Sequence, residues 1–381
     1  MVQAELVDTL ERKQVWGERF NRSVSDIFEV EEQIAKQISD QLRKKLTGKD
    51  KKLLTRRFTE NTVAYQSYLK GRYYWSRRTP DSLTRSIEYF QQATDEDPLY
   101  ALAYAGLADS YIVLGWYGFS TPAEAVERSR RSALKAVEID SELAEGHAAL
   151  GFAKGCDGDW AGADAAFQRA FQQNPGYWLA YDWYAICLSG RGRFEEAIEA
   201  IQTAKKLDPL SLVIHQHAAW VYIHARRYDT AIEECRKALE IDPNYPLGHF
   251  WMGVALTQKS MHEQAITTLE KARGKARGFV DIPFATAALA HAYAASGRRN
   301  EAETLLRELT ASRQQNSVDP YHFAVIHAAL GEPDRVFDCL ELAYQDQSIW
   351  LTCWLKVDPR LDPVRSDPRF PDLLRRIGVP A

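Results

Sequence analysis

The sequence predicts an all-α fold: a solenoid of about eight stacked helix pairs, preceded by a small α/β remnant. Two observations carry this. Asn174-Pro175, Asp208-Pro209 and Asp242-Pro243 recur every 34 residues. Three registers of small residues keep the same period: Ala163, Ala197, Ala231 and Ala265; Ala170, Ala204, Ala238 and Ala272; Gly151, Ala185, Ala219 and Gly253. A period of this length is the signature of a two-helix unit that stacks on copies of itself, because one unit alone cannot bury its apolar face.

Taken in order, the N-terminal 58 residues do not fit the period. Val2 to Val7 alternates as a short strand does. Val15 to Phe20 is its expected partner across a polar turn at Glu11-Arg12-Lys13. Two strands alone are marginal, so this pair reads as part of a sheet cut from a longer chain. Asp26 and Glu29 form a capping box for a helix with Val30, Ile34, Ile38, Leu42 and Leu46 on one stripe. A basic run from Arg43 to Arg57 follows, opposed only by Asp50. It reads as a solvated helix end and linker, since it carries no aromatic residues for base stacking.

The repeat array is expected over residues 59–345, with units near 62–98, 99–141, 142–175, 176–209, 210–243, 244–277, 280–313 and 319–345. In the unit 210–243, one helix runs from about Leu212 to Ala225. Arg226-Arg227 turns the chain, and a second helix runs from about Tyr228 to Glu240. Pro243 stops it, because proline offers no N–H and restricts the residue before it. The unit 99–141 is nine residues longer, and the extra length is placed in the turn around Gly115 to Pro122. Residues 346–381, dense in Pro and Asp, are expected to cap the array, with Ile349, Trp350, Leu351, Trp354 and Leu355 packing on the last hairpin.

Bulk composition excludes several classes. The chain has 381 residues, a formal net charge of −4, 45% hydrophobic and 26% charged residues. That is a folded composition, not a disordered one or that of a strongly basic nucleic-acid binder. Five scattered cysteines form no CxxC pair, so neither a disulfide framework nor a zinc knuckle is expected. No apolar run reaches transmembrane length, and the N-terminus lacks the pattern of a signal peptide. No glycine-rich phosphate loop exists. Gly190-Arg191-Gly192-Arg193 is explained as an inter-helix turn. His147, His215 and His249 share one repeat position, which argues for packing and against metal ligation. No enzyme chemistry, cofactor or metal is therefore expected.

The default site is the concave face, lined by the first helix of each pair. Helical spacing places Asp182, Ile186, Gln216, Trp220, His224, Phe250, Val254, Gln258 and His291 there. An exposed Trp220 near Phe250 is a natural anchor for a peptide. Both are also large enough to be buried between neighbouring hairpins, and the sequence leaves the two readings open.

The 34-residue units, clearest over residues 143–273, resemble the tetratricopeptide repeat family. The resemblance implies a right-handed α-α superhelix and a groove that binds protein segments. Members that clasp acidic C-terminal peptides use Lys and Asn on the first helices. Here those positions hold Asp182, Ile186, Gln216, Trp220, Phe250 and Val254, so that clamp is absent. The stretch Val15 to Arg22, Asp26-Ile27-Phe28, the segment Tyr68 to Trp75 and the tail Ser366 to Phe370 resemble the TolB-like/FlgO-like region and repeats of large bacterial signalling proteins. In those proteins the region follows a winged helix of the CadC type, an adenylate cyclase or a Ser/Thr kinase.

The resemblance implies an interaction scaffold or sensory module in a larger bacterial regulator, with an effector domain upstream of this chain. The expected partner is a protein or peptide in the groove, with self-association through residues 1–20 as a further possibility. Nucleic acid is not expected as a partner. The alternative is a nucleic-acid-associated transcriptional regulator fragment using residues 43–57. The expected location is cytoplasmic, or periplasmic if an upstream segment crosses the membrane.

Overall fold

Every helical hairpin among the described residues turns on one residue in the left-handed region of backbone space. In the eight hairpins these residues are Arg78, Gly118, Gly158, Gly192, Arg226, Ser260, Gly297 and Gly331, with φ between 56° and 81°. Glycine supplies that conformation without a Cβ clash, so five of the eight turns are set by the sequence directly. Arg78, Arg226 and Ser260 adopt it against their intrinsic preference. The computed structural model describes residues 2–8, 13–20, 33–34, 56–275, 283–313 and 318–379. Apart from Gln33 and Ile34, which are helical, the proposed helix behind Asp26 and most of the basic run lie outside the described residues.

The solenoid pairs α1 (Thr62–Arg77) with α2 (Pro80–Glu96), α3 (Ala101–Trp116) with α4 (Pro122–Ile139), and α5 (Ala144–Cys156) with α6 (Trp160–Gln173). It continues through α7 (Trp178–Gly190) with α8 (Phe194–Leu207), α9 (Leu212–His224) with α10 (Tyr228–Ile241), and α11 (Pro246–Gln258) with α12 (His262–Lys275). The last two pairs are α13 (Pro283–Ala295) with α14 (Arg299–Arg313), and α15 (Pro320–Leu330) with α16 (Pro333–Gln345). This is the all-α helix-pair solenoid that the period predicts.

The turns between hairpins repeat one device. The second helix ends at an Asp or Asn whose side chain accepts from the backbone N–H two residues on, as in Asp97 to Leu99, Asp140 to Glu142, Asn174 to Gly176 and Asp242 to Asn244. Such short loops favour Asx turns. His147, His215 and His249 then each reach a carbonyl six residues back, at 2.9, 3.2 and 3.1 Å. They tie the first turn of a helix to the loop before it.

Small residues set the close approach of paired helices. A Cβ added to Gly253 would lie 2.4 Å from Leu269, and one on Gly151 would lie 3.0 Å from Phe167. The longer second hairpin corrects one expectation. Its extra length is spread, with helices of 16 and 18 residues where the next hairpin has 13 and 14, and only two residues are added to the turn. The N-terminal strands β1 (Val2–Asp8) and β2 (Lys13–Phe20) form an antiparallel pair with Val2 opposite Phe20 and Leu6 opposite Trp16.

After α16 the chain does not simply stop. Ser348 caps α17 (Ile349–Trp354) by accepting from the Leu351 N–H at 3.1 Å, a 3-10 turn follows over Pro359–Val364, and α18 spans Arg369–Arg376. The final helix lies on α16, where Arg376 makes a bidentate pair with Glu341 and stacks over Tyr344. The segment α17 takes a different course. It enters the concave side of the solenoid.

Candidate functional site

From the second pair onward the first helices are buried on nearly every side. In α9, Ile214, Ala218, Ala219, Val221 and Ile223 are buried together with Trp220. An amphipathic helix has one buried stripe; a helix buried on every side is covered twice. One cover is the neighbouring hairpins. The other is α17, which brings Trp350, Trp354 and Leu351 into the channel.

Trp354 sits at 4.8 Å from Trp220, 5.4 Å from Trp251 and 4.9 Å from His224, centroid to centroid. Trp350 meets Trp116 at 5.1 Å, Phe284 at 5.5 Å and His322 at 4.7 Å. The Trp350 indole N–H also donates to the Trp116 carbonyl at 3.2 Å. One short helix thus touches residues from the second, fifth, sixth, seventh and eighth hairpins. The solenoid also meets itself across the axis, through Trp116 on Trp220 at 5.2 Å and Tyr117 on Phe284 at 6.2 Å. Such tilted and edge-on ring pairs add to the burial that already favours them.

Polar anchors fix the segment at its ends. Ser348 Oγ donates to Asp319 Oδ2 at 2.7 Å, and Tyr321 OH donates to Asp358 Oδ2 at 2.9 Å. Asp358 and Arg360 are both buried and form a pair with contacts of 2.7 to 3.1 Å. Burial alone would raise the Asp358 carboxyl, but the Arg360 charge and hydrogen bonds hold it well below its usual range. Arg226 pairs with Asp362 at 2.8 Å, and the Trp160 indole N–H donates to the Gly378 carbonyl at 3.2 Å. The α7 terminus comes so close that a Cβ on Gly190 would lie 2.5 Å from the Cys353 carbonyl oxygen.

Of the nine residues placed on the concave face by spacing, Trp220 and His224 meet Trp354. Asp182, Ile186, Gln216, Trp220, His224, Phe250, Val254 and His291 are buried, and Gln258 is half-buried. Trp220 is 4% exposed, so it is not an open anchor. Asp182 Oδ2 is engaged by His217 Nδ1 at 2.7 Å, and Gln216 Oε1 accepts from Tyr245 OH. Burial holds His224 and His291 down to about 3, so both are neutral. Spacing arguments missed Trp183, Trp251 and Phe284. The signal was present: Trp183, His217 and Trp251 are 34 apart, as are Asp182, Gln216, Phe250 and Phe284. It also missed Trp116, Trp350 and Trp354, which no period marks.

Unpaired polar atoms gather around this channel. They include Arg78 Nε and Nη2, Trp251 Nε1, Trp354 Nε1, His224 Nε2, Asp109 Oδ1 and Asp182 Oδ1. Burial pushes the Cys156 and Cys187 thiols well up, which makes them poor nucleophiles. No group of three His, Cys, Asp or Glu among the described residues is placed to hold a metal ion. No helix among them is long and apolar enough to cross a membrane. The basic run contributes Arg56 and Arg57 to the described residues, and they pair with Asp140 and Glu60.

Residues 157–216, 221–260 and 285–318 match tetratricopeptide repeat families. Among curated proteins, the chain is 24% identical over 307 residues to the transcriptional regulator HilA of Salmonella typhimurium, covering 78% of this chain and 53% of that protein. It is 25% identical over 155 residues to the putative adenylate cyclase 3 of Rhizobium meliloti, covering 40% and 26%. The chain therefore spans about half the length of the first of these relatives. Among solved structures, a monomeric mutant of IFIT1 with m7Gppp-AAAA has a TM-score of 0.58 at 13% identity, covering 92% of this chain and 76% of that one. The human IFIT1 dimer with PPP-AAAA has a TM-score of 0.50 at 15% identity, covering 84% and 77%. At such identity the likeness is one of fold. It corrects one expectation all the same: the IFIT1 structures hold PPP-AAAA and m7Gppp-AAAA, so the expectation that nucleic acid is no partner does not stand.

Proposed function

We propose that this chain, a tetratricopeptide-repeat protein of the non-catalytic interaction type, works as a scaffold whose concave channel receives an apolar helical segment of a partner protein in the place now held by its own residues 349–354. The observation that carries this is the nature of the channel's present occupant. A six-residue helix with two indoles is seated among aromatic side chains from five hairpins. A helix laid in an apolar groove is a recurring mode of peptide recognition. The chain's own segment acts as an intramolecular competitor at high effective concentration, so a partner must displace it.

The test uses the full chain with Gly190→Val. The added side chain meets the Cys353 backbone, which cannot step aside as a flexible side chain would. A fluorescent peptide of residues 346–379 should bind this variant saturably and bind the wild type at least 10-fold more weakly. Equal binding to both, or none to the variant while its helicity is retained, sinks the proposal.

A second reading concerns the whole protein. The likeness to HilA over most of this chain supports a place in a larger bacterial transcriptional regulator, with the solenoid relaying partner binding to another domain of such a protein.

A further inference from the structure

Three arginines are buried among the described residues: Arg78, Arg191 and Arg360. Two are neutralised by a bidentate carboxylate. Arg191 holds Asp164 at 2.9 and 2.7 Å, and Arg360 holds Asp358. Arg78 is 5% exposed and has no ion pair; its Nε and Nη2 have no hydrogen-bond partner. Its guanidinium lies over the Trp75 ring at 3.8 Å. The nearby carboxylates reach other cations through one oxygen each, Asp109 near Arg72 at 3.8 Å and Asp182 with His217 at 2.7 Å, and neither forms an ion pair with Arg78. Burial of a charge without a partner is unfavourable, and proteins keep such groups where something compensates them. Arg78 also occupies the left-handed turn position that glycine fills in most other hairpins, which aims its side chain inward at a cost in backbone strain.

The side chain opens on a cavity of about 40 Å³ on the channel axis, walled by Trp183, Trp220, Trp251 and Trp350. Trp251 and Trp116 also line this cavity, and the buried indole N–H of each has no hydrogen-bond partner. The amide oxygen of Gln216, which could have served as an acceptor there, is taken by Tyr245.

We propose that this cavity is a binding site for a small organic monocarboxylic acid, with the carboxylate on Arg78 and the apolar body among the indoles. The guanidinium fork matches a planar carboxylate. A single cation neutralises a single negative charge, and apolar walls disfavour a second, so a phosphate dianion does not fit. The volume takes a carboxylate head as it stands. A ring behind it fits only as Trp350, which belongs to α17, gives way, so an aromatic acid is sensed by the segment that fills the channel.

The experiment follows intrinsic tryptophan fluorescence of the full chain during titration with acetate, benzoate, benzyl alcohol and inorganic phosphate, with melting temperature as a second readout. Benzoate is expected to saturate and to raise the melting temperature, whereas benzyl alcohol and phosphate are not. Arg78→Gln should weaken benzoate at least 10-fold and melt no lower than wild type without ligand, since it removes an unpaired charge. Trp251→Phe, which keeps the wall and removes the donor, should weaken it several-fold. Saturation by acetate with the same affinity as benzoate overturns the role given to the indoles. Equal binding by phosphate or by benzyl alcohol overturns the charge argument. Unchanged binding in Arg78→Gln, or no saturation by either acid in the millimolar range, overturns the site. None of these outcomes depends on whether a peptide can replace residues 349–354.

Discussion

At the residue scale, the channel is held by groups kept in one charge state by burial. His224, His291 and His322 are each held down to about 3. A histidine neutral in the fold but free to take a proton when unfolded favours unfolding once the pH drops below its ordinary 6.5. The stability from these three is complete above that pH and is lost progressively down to about 3. Asp109 and Asp319 act in the opposite sense. Burial raises them to about 7 and about 6, so they bind protons more readily when folded and favour the fold increasingly as the pH falls toward 4. The opposed effects leave a shallow decline between pH 6.5 and 4. Below 4 the carboxylates no longer compensate, and the depressed Asp358 adds its own loss. Melting temperature against pH should show that break, and a uniform decline from pH 7 to 4 would contradict it. His322→Phe, which keeps a ring against Trp350, should lift the acid limb by up to about 1.4 kcal/mol per pH unit.

At the element scale, the left-handed turn position strains any residue that carries a Cβ. Ser260 is exposed, has φ 59° and stands where other turns have glycine. Ser260→Gly should stabilise the chain by about 1 kcal/mol, because the left-handed conformation costs an L-residue about that much. Gly297 has φ 78° and open space around its missing side chain. Gly297→Ala should therefore cost about 1 kcal/mol through backbone strain alone. Urea denaturation of the two variants should move their midpoints in opposite directions. If both move together, packing and not backbone conformation governs the turns.

At the scale of the whole molecule, α17 converts a linear stack into a closed one. A repeat array is stabilised chiefly between neighbours and unfolds from its ends. Here Trp350 and Trp354 join hairpins far apart in sequence. Truncating both to Ala removes burial worth about 3–5 kcal/mol for each ring before any rearrangement. We expect small-angle scattering to give a larger radius of gyration, circular dichroism to retain most helicity, and denaturant unfolding to broaden. A compact particle with unchanged cooperativity would show that the neighbour contacts alone hold the channel shut.

The repeat is legible in the residues alone, because a 34-residue period of small residues and turn prolines reflects local packing that recurs from hairpin to hairpin. Helical spacing also puts Asp182, Gln216, Trp220 and Phe250 on one side of their helices, an expectation drawn from the residues alone. That these side chains are buried emerges only in the packed chain. Trp350 lies 234 positions from the Trp116 carbonyl that accepts its N–H. A contact at that separation leaves no period to read, and an apolar segment written once could as well cap the last hairpin as fill the channel. The same holds for Arg78. In sequence it is one arginine of a turn, and its buried, unpaired state follows from where the superhelix closes around it.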